Sequence, residues 1–194
     1  FNSEDYIFEN LSLSLPVGKH TILMGPNGSG KSTLLGLISG VLYSEKGTVT
    51  TYKQNFGYIG AVPLIFTGSI RKNLLYGNEK DISDTKMLDL LKDFDVFKEK
   101  DRYDLEGEIS NKSLSSGQMQ KISFIRALLA DTDILLLDES TANLDEKSRD
   151  LIFNILKSQN ISIINSTHDP ENFKDVDNHI KIIIEDNKRL ILQG

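Results

Sequence analysis

Cysteine is absent from this chain of 194 residues. The absence excludes a disulfide framework and any metal site built on thiolate ligands. Long apolar runs are missing too, since no stretch approaches the roughly 20 residues that a membrane-spanning helix needs. No signal peptide opens the sequence, which begins with Phe1 rather than with Met. We therefore expect a domain cut from a longer polypeptide, with any membrane part outside these residues.

An excess of basic residues is also lacking. The 22 Lys and Arg residues are outnumbered by 28 Asp and Glu residues, which gives a net charge of -6. This balance argues against a surface coated with nucleic acid, and no nucleic-acid partner is expected. Hydrophobic residues make up 39% of the chain and charged residues 26%, the proportions of an ordinary globular domain with a substantial core.

Short apolar patterns typical of strands occur at both ends of the chain. They are "LSLSL", "TILM", "GTVTTY", "FGYIGAV", "DILLLDE", "ISIINSTH", "HIKIIIED" and "RLILQG". Between them, residues 68–131 carry mostly the apolar spacing of helices. This order predicts an α/β fold with a mainly parallel sheet and a helical insertion. We expect one domain over residues 1–194, with a core at about 1–66 and 127–194 and a helical subdomain at about 68–126.

A glycine-rich loop, "GPNGSGKST", runs from Gly25 to Thr33 and fits the phosphate-loop pattern G-x-x-x-x-G-K-[ST]. It lies between a predicted strand and a predicted helix, which is the context that this motif requires. The glycines let backbone N–H groups converge on phosphate oxygens, and the positive end of the helix dipole adds to the attraction. The alternative is a glycine turn followed by a surface lysine, which leaves the order of strand, loop and helix unexplained.

The phosphate loop predicts specific contacts with a nucleotide. We expect Lys31 to bridge the β- and γ-phosphates and Ser32 to ligate Mg²⁺. The nucleotide-binding residues predicted here are Asn27, Gly28, Ser29, Gly30, Lys31, Ser32 and Thr33.

Two acidic residues, Asp138 and Glu139, end the apolar stretch "ILLLDE". On its own, an acidic pair after an apolar strand usually starts a solvated loop. Together with the phosphate loop, the pair predicts that Asp138 holds Mg²⁺, directly or through a water, and that Glu139 polarises an attacking water.

The stretch "LSSGQ", from Leu114 to Gln118, resembles the signature motif of ABC ATPases, which is usually LSGGQ. Ser116 takes the place of one glycine. The resemblance implies that Ser115, Ser116, Gly117 and Gln118 contact the γ-phosphate of ATP bound to the phosphate loop of a partner subunit. A local interpretation is also open, in which the serines cap the start of a helix, and the two are compatible.

Other stretches resemble further ABC motifs in the same order along the chain. "STANLD", from Ser140 to Asp145, resembles the D-loop that lines the dimer interface, and His168 in "STHD" resembles the switch histidine that touches the γ-phosphate. Phe1 matches the aromatic residue that stacks on adenine, with Tyr6 as its rival. By this resemblance the catalytic residues are Glu139, His168 and Lys31.

The stretch "LIFTGSIRKNL" resembles the exporter-type sequence "LFSGTIRENI". Counting back from Phe66 places Ala61 where these proteins carry a glutamine, and Gln54 lies too early to replace it. The segment between Lys31 and this loop is short as well. By comparison with the family, the shortening reduces the β subdomain that contacts the nucleotide and leaves the phosphate loop intact.

The resemblance implies a P-loop (RecA-like) sheet with an N-terminal antiparallel β subdomain and an inserted α-helical subdomain. It implies an ATP-hydrolysing domain that uses ATP and Mg²⁺ and powers an ABC transporter, of the exporter type, by ATP-driven dimerisation. The expected partners are a second nucleotide-binding domain, identical or different, and transmembrane domains in the same full-length chain. The expected location is the cytoplasmic face of a membrane.

Two alternatives belong to other functional classes. A soluble ABC ATPase of translation or chromosome maintenance would carry a second such domain or long coiled coils, and neither is present in these residues. A P-loop GTPase would need the guanine-reading pattern N-K-x-D, but "NKS" at Asn111 is followed by Leu114.

Overall fold

The computed structural model describes residues 6–53, 55–98, 103–185 and 188–193. The helices in these ranges are α1 (Lys31–Ile38), α2 (Ile70–Leu74), α3 (Asp84–Asp93), α4 (Ser116–Leu129) and α5 (Glu146–Ser158). The strands are β1 (His20–Met24), β2 (Phe56–Gly60), β3 (Gly68–Ser69), β4 (Glu108–Ile109), β5 (Ile134–Asp138), β6 (Ser162–Ser166), β7 (Asn178–Glu185) and β8 (Lys188–Gln193). None of the helices in the described ranges is long and apolar enough to cross a membrane.

Six strands form one sheet in the order β2-β5-β6-β1-β7-β8. The pairs β2–β5, β5–β6, β6–β1 and β1–β7 are parallel, and β8 runs antiparallel to β7. The sequence prediction of an α/β fold with a mainly parallel sheet is therefore confirmed. Strand β5 is covered on both faces, which explains why its sequence, "ILLLD", is almost continuously apolar.

Helices cover both faces of this sheet. Leu35 of α1 belongs to a cluster with Leu136 and Ile164 on one face. On the other face, Leu135 and Ile163 belong to a larger cluster that also includes buried residues of α3, α4 and α5. Neighbouring residues of β5 therefore face opposite cores, as the two-residue period of a strand requires.

The carboxyl ends of the parallel strands meet at one edge of the sheet. β1 ends at Met24 just before the phosphate loop, β5 ends at Asp138, and β6 ends at Ser166. Asp138 is in register with Ser166, and Ser166 is in register with Leu23. The segments that follow β1, β5 and β6 therefore lie side by side, where open α/β sheets bind ligands.

In the described parts of the block, residues 68–98 and 103–131, the α-helices are α2, α3 and α4. After α3 the chain turns at Asp95, which adopts the left-handed conformation with a φ of 48°. Strands β3 and β4 then pair as a short antiparallel ladder. Arg71 ties the block together, because its guanidinium donates to Asp84 and to Glu106, each at 2.5 Å. The block therefore contains, besides its helices, a turn and a strand pair that the apolar spacing did not indicate.

The predicted N-terminal antiparallel β subdomain is not formed by the described residues. No strand lies within residues 6–19 or within described residues 39–53, where "LSLSL" and "GTVTTY" predicted strands. Leu11, Leu13 and Leu15 instead pack against the cluster on the α1 side of the sheet. Strands need hydrogen-bonded neighbours to be stable, and the described residues between α1 and β2 provide none.

His20 lies in an aromatic environment at the start of β1. Its ring stacks on Phe153 at a centroid distance of 4.8 Å and meets the edge of Phe173 at 5.8 Å. The imidazole Nε2 is buried without a hydrogen-bond partner. Burial lowers the pKa of His20 to about 4, an effect that the nearby Asp177 carboxylate opposes and that His179 slightly reinforces.

This burial predicts a loss of stability in mild acid. Because the unfolded chain binds the proton near pH 6.5 and the folded chain only near pH 4, stability falls as the pH drops through that window. We expect the loss to be on the order of 2–3 kcal/mol at pH 4.5. Urea unfolding at pH 7.5 and 4.5 measures it. His20→Phe should remove this part of the pH dependence of the unfolding free energy. His179→Gln replaces an exposed imidazole on β7 and should leave that dependence in place.

Candidate active site

The phosphate loop joins β1 to α1 and takes its shape from two glycines. Gly28 has a φ of 76° and Gly30 a φ of 101°, a left-handed region that residues with a side chain rarely adopt. Gly30 is the N-cap of helix α1, and the helix has neither a side-chain cap nor an acidic residue in its first turn. Its first N–H groups and the positive end of its dipole therefore favour an anion.

Lys31 folds back over this loop. Its Nζ donates to the carbonyl oxygen of Gly25 at 2.8 Å and to that of Pro26 at 3.2 Å. The residue is 6% exposed, so its ammonium group lies within the loop and not in bulk solvent. The alternative of a glycine turn with a surface lysine does not match this arrangement.

The segment before β1 lies against the loop. A Cβ atom added to Gly30 would be 2.8 Å from Phe8 Cζ and 3.0 Å from Ile7 Cγ2. Tyr6, a candidate for adenine stacking, precedes this contact and is 49% exposed. Phe1, the other candidate, lies outside the described residues. An exposed aromatic side chain therefore directly precedes a segment that contacts the phosphate loop.

Glu139 and His168 come together from the ends of β5 and β6. Glu139 Oε1 lies 2.8 Å from His168 Nε2, and both side chains are 41% exposed. Glu139 has a φ of 53°, and its N–H donates to the carbonyl of Ser166 at 3.0 Å. A left-handed conformation costs a residue with a side chain on the order of 1 kcal/mol. Because of this turn, Glu139 no longer follows the alternating side-chain directions of β5. Its carboxylate therefore contacts His168 at a place that solvent water can reach.

Asp138 has a partner that sequence reasoning missed. The hydroxyl of Tyr58 donates to Asp138 Oδ2 at 2.9 Å. Burial, together with the hydrogen bond to Asp138, raises the pKa of Tyr58 to about 12, so the phenol remains a donor at neutral pH. Both strands were predicted, but only their parallel pairing shows that Tyr58 and Asp138 share one face of the sheet.

The signature-like segment begins α4 with a capping box. Ser115 Oγ accepts from the N–H of Gln118 at 3.2 Å, and Gln118 Oε1 accepts from the N–H of Ser115 at 2.9 Å. Ser116 is exposed, and a Cβ atom at Gly117 would lie 3.5 Å from the carbonyl of Asn143. The local interpretation, helix capping, therefore holds, and Ser116 remains exposed for a contact.

The structure gathers some of the predicted site residues and leaves others apart. The phosphate loop, Asp138, Glu139 and His168 share one edge of the sheet. Among the described residues, no hydrogen bond joins the signature-like residues 115–118 to the phosphate loop. Within one chain, these residues therefore form two separate groups.

Comparison with known families adds to this geometry. The model of the family described as ABC transporter matches residues 8–142, which is more than half of the chain. The match contains the phosphate loop, the signature-like segment and the acidic pair. The chain belongs to the ABC transporter family. This finding confirms the resemblance on which the sequence prediction rested, and the domain is of the ATP-binding type found in that family.

The ABC domain is similar to parts of larger proteins. It is 33% identical to the ATP-dependent permease MDL1 of Candida albicans, over 95% of this chain and 31% of that protein. It is 30% identical to the glutathione/L-cysteine transport system ATP-binding/permease protein CydD of Haemophilus influenzae, over 95% of this chain and 33% of that protein. The chain thus spans about a third of the length of these curated relatives.

A solved structure shows that the fold is also shared. A bacterial Atm1-family ABC exporter with ATP bound matches this ABC domain with a TM-score of 0.81 at 24% identity. The match covers 97% of this chain and 35% of that one. At this level of identity, the likeness concerns the fold alone.

Ala61 of the ABC domain follows β2 directly and is exposed. Gly60 is in register with the last residue of β5, so residue 61 lies beside the acidic edge of the sheet. Gln120 of α4 donates to the carbonyl of Gly60 at 3.3 Å, and Asn143 donates to that of Ala61 at 3.5 Å. Two neighbouring segments thus hold the backbone here. Gln54, the rival glutamine, lies outside the described residues.

Proposed function

We propose that this chain is the nucleotide-binding domain of an exporter-type ABC transporter and that it hydrolyses ATP to power transport. The observation that carries the proposal is the edge at which the adjacent strands β5, β6 and β1 deliver the acidic pair, His168 and the phosphate loop. The relatives are named as a permease and an ATP-binding/permease protein, which favours an exporter over a soluble ABC ATPase of translation or chromosome maintenance.

ATP binding begins with an exchange of partners at Lys31. Its Nζ now bonds the carbonyls of Gly25 and Pro26, and these bonds hold it beside the N-terminus of α1. When the β- and γ-phosphates enter the loop, they offer the ammonium group charged acceptors, which are stronger than neutral carbonyls. Backbone N–H groups of the loop and of the start of α1 would add further donors. The exposed Tyr6, or Phe1 outside the described residues, would cover the adenine.

Glu139 then acts on the water that attacks the γ-phosphate. Its carboxylate holds and orients this water and accepts a proton from it as the bond to phosphorus forms. His168 Nε2 contacts the same carboxylate at 2.8 Å and keeps it at the sheet edge. Because the loop amides and Lys31 are fixed before the reaction, they stabilise the charge of the transition state with little reorganisation.

The side chains at this edge fit a magnesium ion that is held mainly by phosphates and waters. Ser32 and Asp138 offer the oxygen ligands that Mg²⁺ prefers, and Mg²⁺ usually takes only one or two carboxylates from a protein. Among the described residues, no group of three or more His, Asp or Glu forms a metal site by itself, so an all-protein cage is not expected. When bound with ATP, the ion would neutralise charge on the phosphate oxygens.

A second nucleotide-binding domain, identical or different, is the first partner that we propose. The exposed Ser116 and the adjoining Ser115, Gly117 and Gln118 do not bond their own phosphate loop within the described residues. A face-to-face dimer would place this helix N-terminus at the γ-phosphate bound by the other chain, where its dipole favours an anion. Each site would then be completed by its partner, and ATP would drive dimerisation.

The second proposed partner is a set of transmembrane domains in the same full-length protein. This proposal rests on the length of the relatives, of which the chain spans about a third. We propose the core at about residues 1–66 and 127–194 for nucleotide binding, and the helical subdomain at about 68–126 for contact with the membrane part. The domain would then lie at the cytoplasmic face of a membrane.

Phosphate release by the purified chain tests the proposed function. We expect turnover with ATP that requires Mg²⁺ and stops when EDTA is added. Binding of a fluorescent ATP analogue, measured in parallel, separates binding from chemistry. A chain that neither binds the analogue nor releases phosphate would contradict the proposal.

Ala61 predicts that this turnover is slow. A glutamine at this position in relatives reaches the metal or the attacking water, which a methyl group cannot do. We expect Ala61→Gln to raise the rate of phosphate release by about tenfold through better positioning of the water, with ATP affinity unchanged. Steady-state phosphate release measures the effect.

Two further variants control this prediction. Ala61→Met has a side chain of similar length without an amide and should give no gain. Gln54→Ala should leave turnover as it is. A collapse of turnover with Gln54→Ala, together with no gain from Ala61→Gln, would show that Gln54 supplies the glutamine and that Ala61 has been aligned wrongly.

A further inference from the structure

Tyr58 makes a specific contact with the acidic edge of the site. Its hydroxyl donates to Asp138 Oδ2 at 2.9 Å. Within the described ranges, this is the only side chain that hydrogen-bonds the Asp138 carboxylate. The contact joins β2 to β5, and residues at these positions lie far apart in the sequence.

The register of the two strands explains how the phenol reaches this carboxylate. Tyr58 is in register with Leu136, and Gly60 is in register with Asp138. The backbone of Tyr58 therefore lies two residues before the position opposite Asp138. The two-residue period of a strand puts Tyr58 and Gly60 on the same face as Asp138. A Cβ atom at Gly60 would lie 3.5 Å from Tyr58 Cε1. The ring therefore extends along β2 past Gly60 toward the end of the sheet.

The chemistry of this contact suits a carboxylate that must hold a fixed direction. A phenol gives one hydrogen bond to one oxygen, which leaves Oδ1 and the remaining lone pair of Oδ2 to other partners. Mg²⁺ demands near-octahedral geometry, so a freely rotating ligand or water-holding group costs affinity. Hydrogen bonds to ligating carboxylates orient them, and their loss typically lowers metal affinity tenfold or more.

We propose that Tyr58 is a positioning residue that orients Asp138 toward the metal of the bound nucleotide. The inference rests on the proposed function of the site. The proposal gives β2 a role in the site through Tyr58, whereas Ala61, the residue after β2, brings no polar side chain to the same edge. Tyr58 acts through Asp138 and does not itself touch the reacting atoms.

Manganese binding tests the proposal without relying on turnover. Mn²⁺ serves as the probe, and electron paramagnetic resonance measures its affinity for the complex of the chain with ATPγS. We expect Tyr58→Phe to weaken Mn²⁺ binding by about tenfold. The affinity for ATPγS in EDTA should not change, because the phosphate loop is untouched.

Two comparisons separate positioning from a merely structural role. Tyr52 also joins strands through its hydroxyl, which lies 2.9 Å from Ser162 Oγ and 3.2 Å from the carbonyl of Asp133 at the opposite edge of the sheet. Tyr52→Phe should leave Mn²⁺ affinity unchanged. In an Asp138→Asn background, Tyr58→Phe should add no further loss, because the carboxylate on which it acts is gone.

The outcomes distinguish this inference from the proposed function. If the natural chain binds no Mn²⁺ with ATPγS, the proposed function fails. If the natural chain binds Mn²⁺ together with ATPγS, the inference is overturned when Tyr58→Phe binds Mn²⁺ as tightly as the natural chain or more tightly. The inference is also overturned if Tyr58→Phe lowers Mn²⁺ affinity as much in the Asp138→Asn background as in the natural chain. A weaker affinity of Tyr58→Phe for ATPγS in EDTA overturns it as well.

Discussion

Glu139→Gln should slow phosphate release by about 10²–10⁴-fold, the usual contribution of a general base. The amide keeps the size of the side chain and still bonds His168, but it cannot accept a proton from the attacking water. ATP affinity should stay unchanged, because Glu139 lies beyond the phosphate loop. Single-turnover phosphate release, measured beside equilibrium binding of ATP, checks both statements.

A neighbouring carboxylate provides the control for this substitution. Glu171 lies in the short 3₁₀ turn Pro170–Asn172 and is exposed. Glu171→Gln removes the same charge close to the site without touching the acidic pair, and it should leave the rate unchanged. Equal rates for the natural chain and Glu139→Gln would mean that another group takes the proton.

Lys31→Ala should weaken ATP binding itself by at least about a hundredfold, which corresponds to ~3 kcal/mol. The substitution removes the main positive charge on the phosphates, and charge-assisted hydrogen bonds are about twice as strong as neutral ones. It also takes away the donor that the carbonyls of Gly25 and Pro26 share, so the loop loses part of its order. Calorimetric titration with Mg-ATP measures the loss.

Lys46→Ala is the matched control, because Lys46 is an exposed lysine shortly after α1. It changes the net charge equally and should leave ATP affinity unchanged. Thermal unfolding of both variants shows whether the Lys31 substitution has disturbed the fold. ATP affinity in Lys31→Ala equal to that of the natural chain would remove the phosphate loop from the mechanism.

Much of the site could be predicted because its parts are local in the sequence. The phosphate loop needs only a strand, glycines with left-handed φ and a following helix, all of which lie within Thr21 to Ile38. The acidic pair needs only a buried strand with polar residues at its end. The parallel sheet then brings such strand ends to one edge, so local motifs are enough to locate the site.

The remaining contacts depend on geometry that short motifs do not encode. Tyr58 reaches Asp138 only through the register between β2 and β5. Glu139 meets His168 because its backbone turns to a φ of 53°, which a residue other than glycine rarely adopts. The stretches "LSLSL" and "GTVTTY" have a strand-like composition, but the described residues provide no strand that pairs with them. The leucines of "LSLSL" pack against the sheet instead, whereas "GTVTTY" is mostly exposed.

Sedimentation of the Glu139→Gln variant tests the central claim most directly, since the claim is that ATP joins two such domains across their sites. With saturating Mg-ATP, which this variant binds and does not consume, we expect the sedimenting mass to double, with two ATP bound per pair of chains. The same sample should be monomeric without nucleotide, and so should a variant that also carries Lys31→Ala. A strictly monomeric Glu139→Gln chain under saturating Mg-ATP would contradict the account.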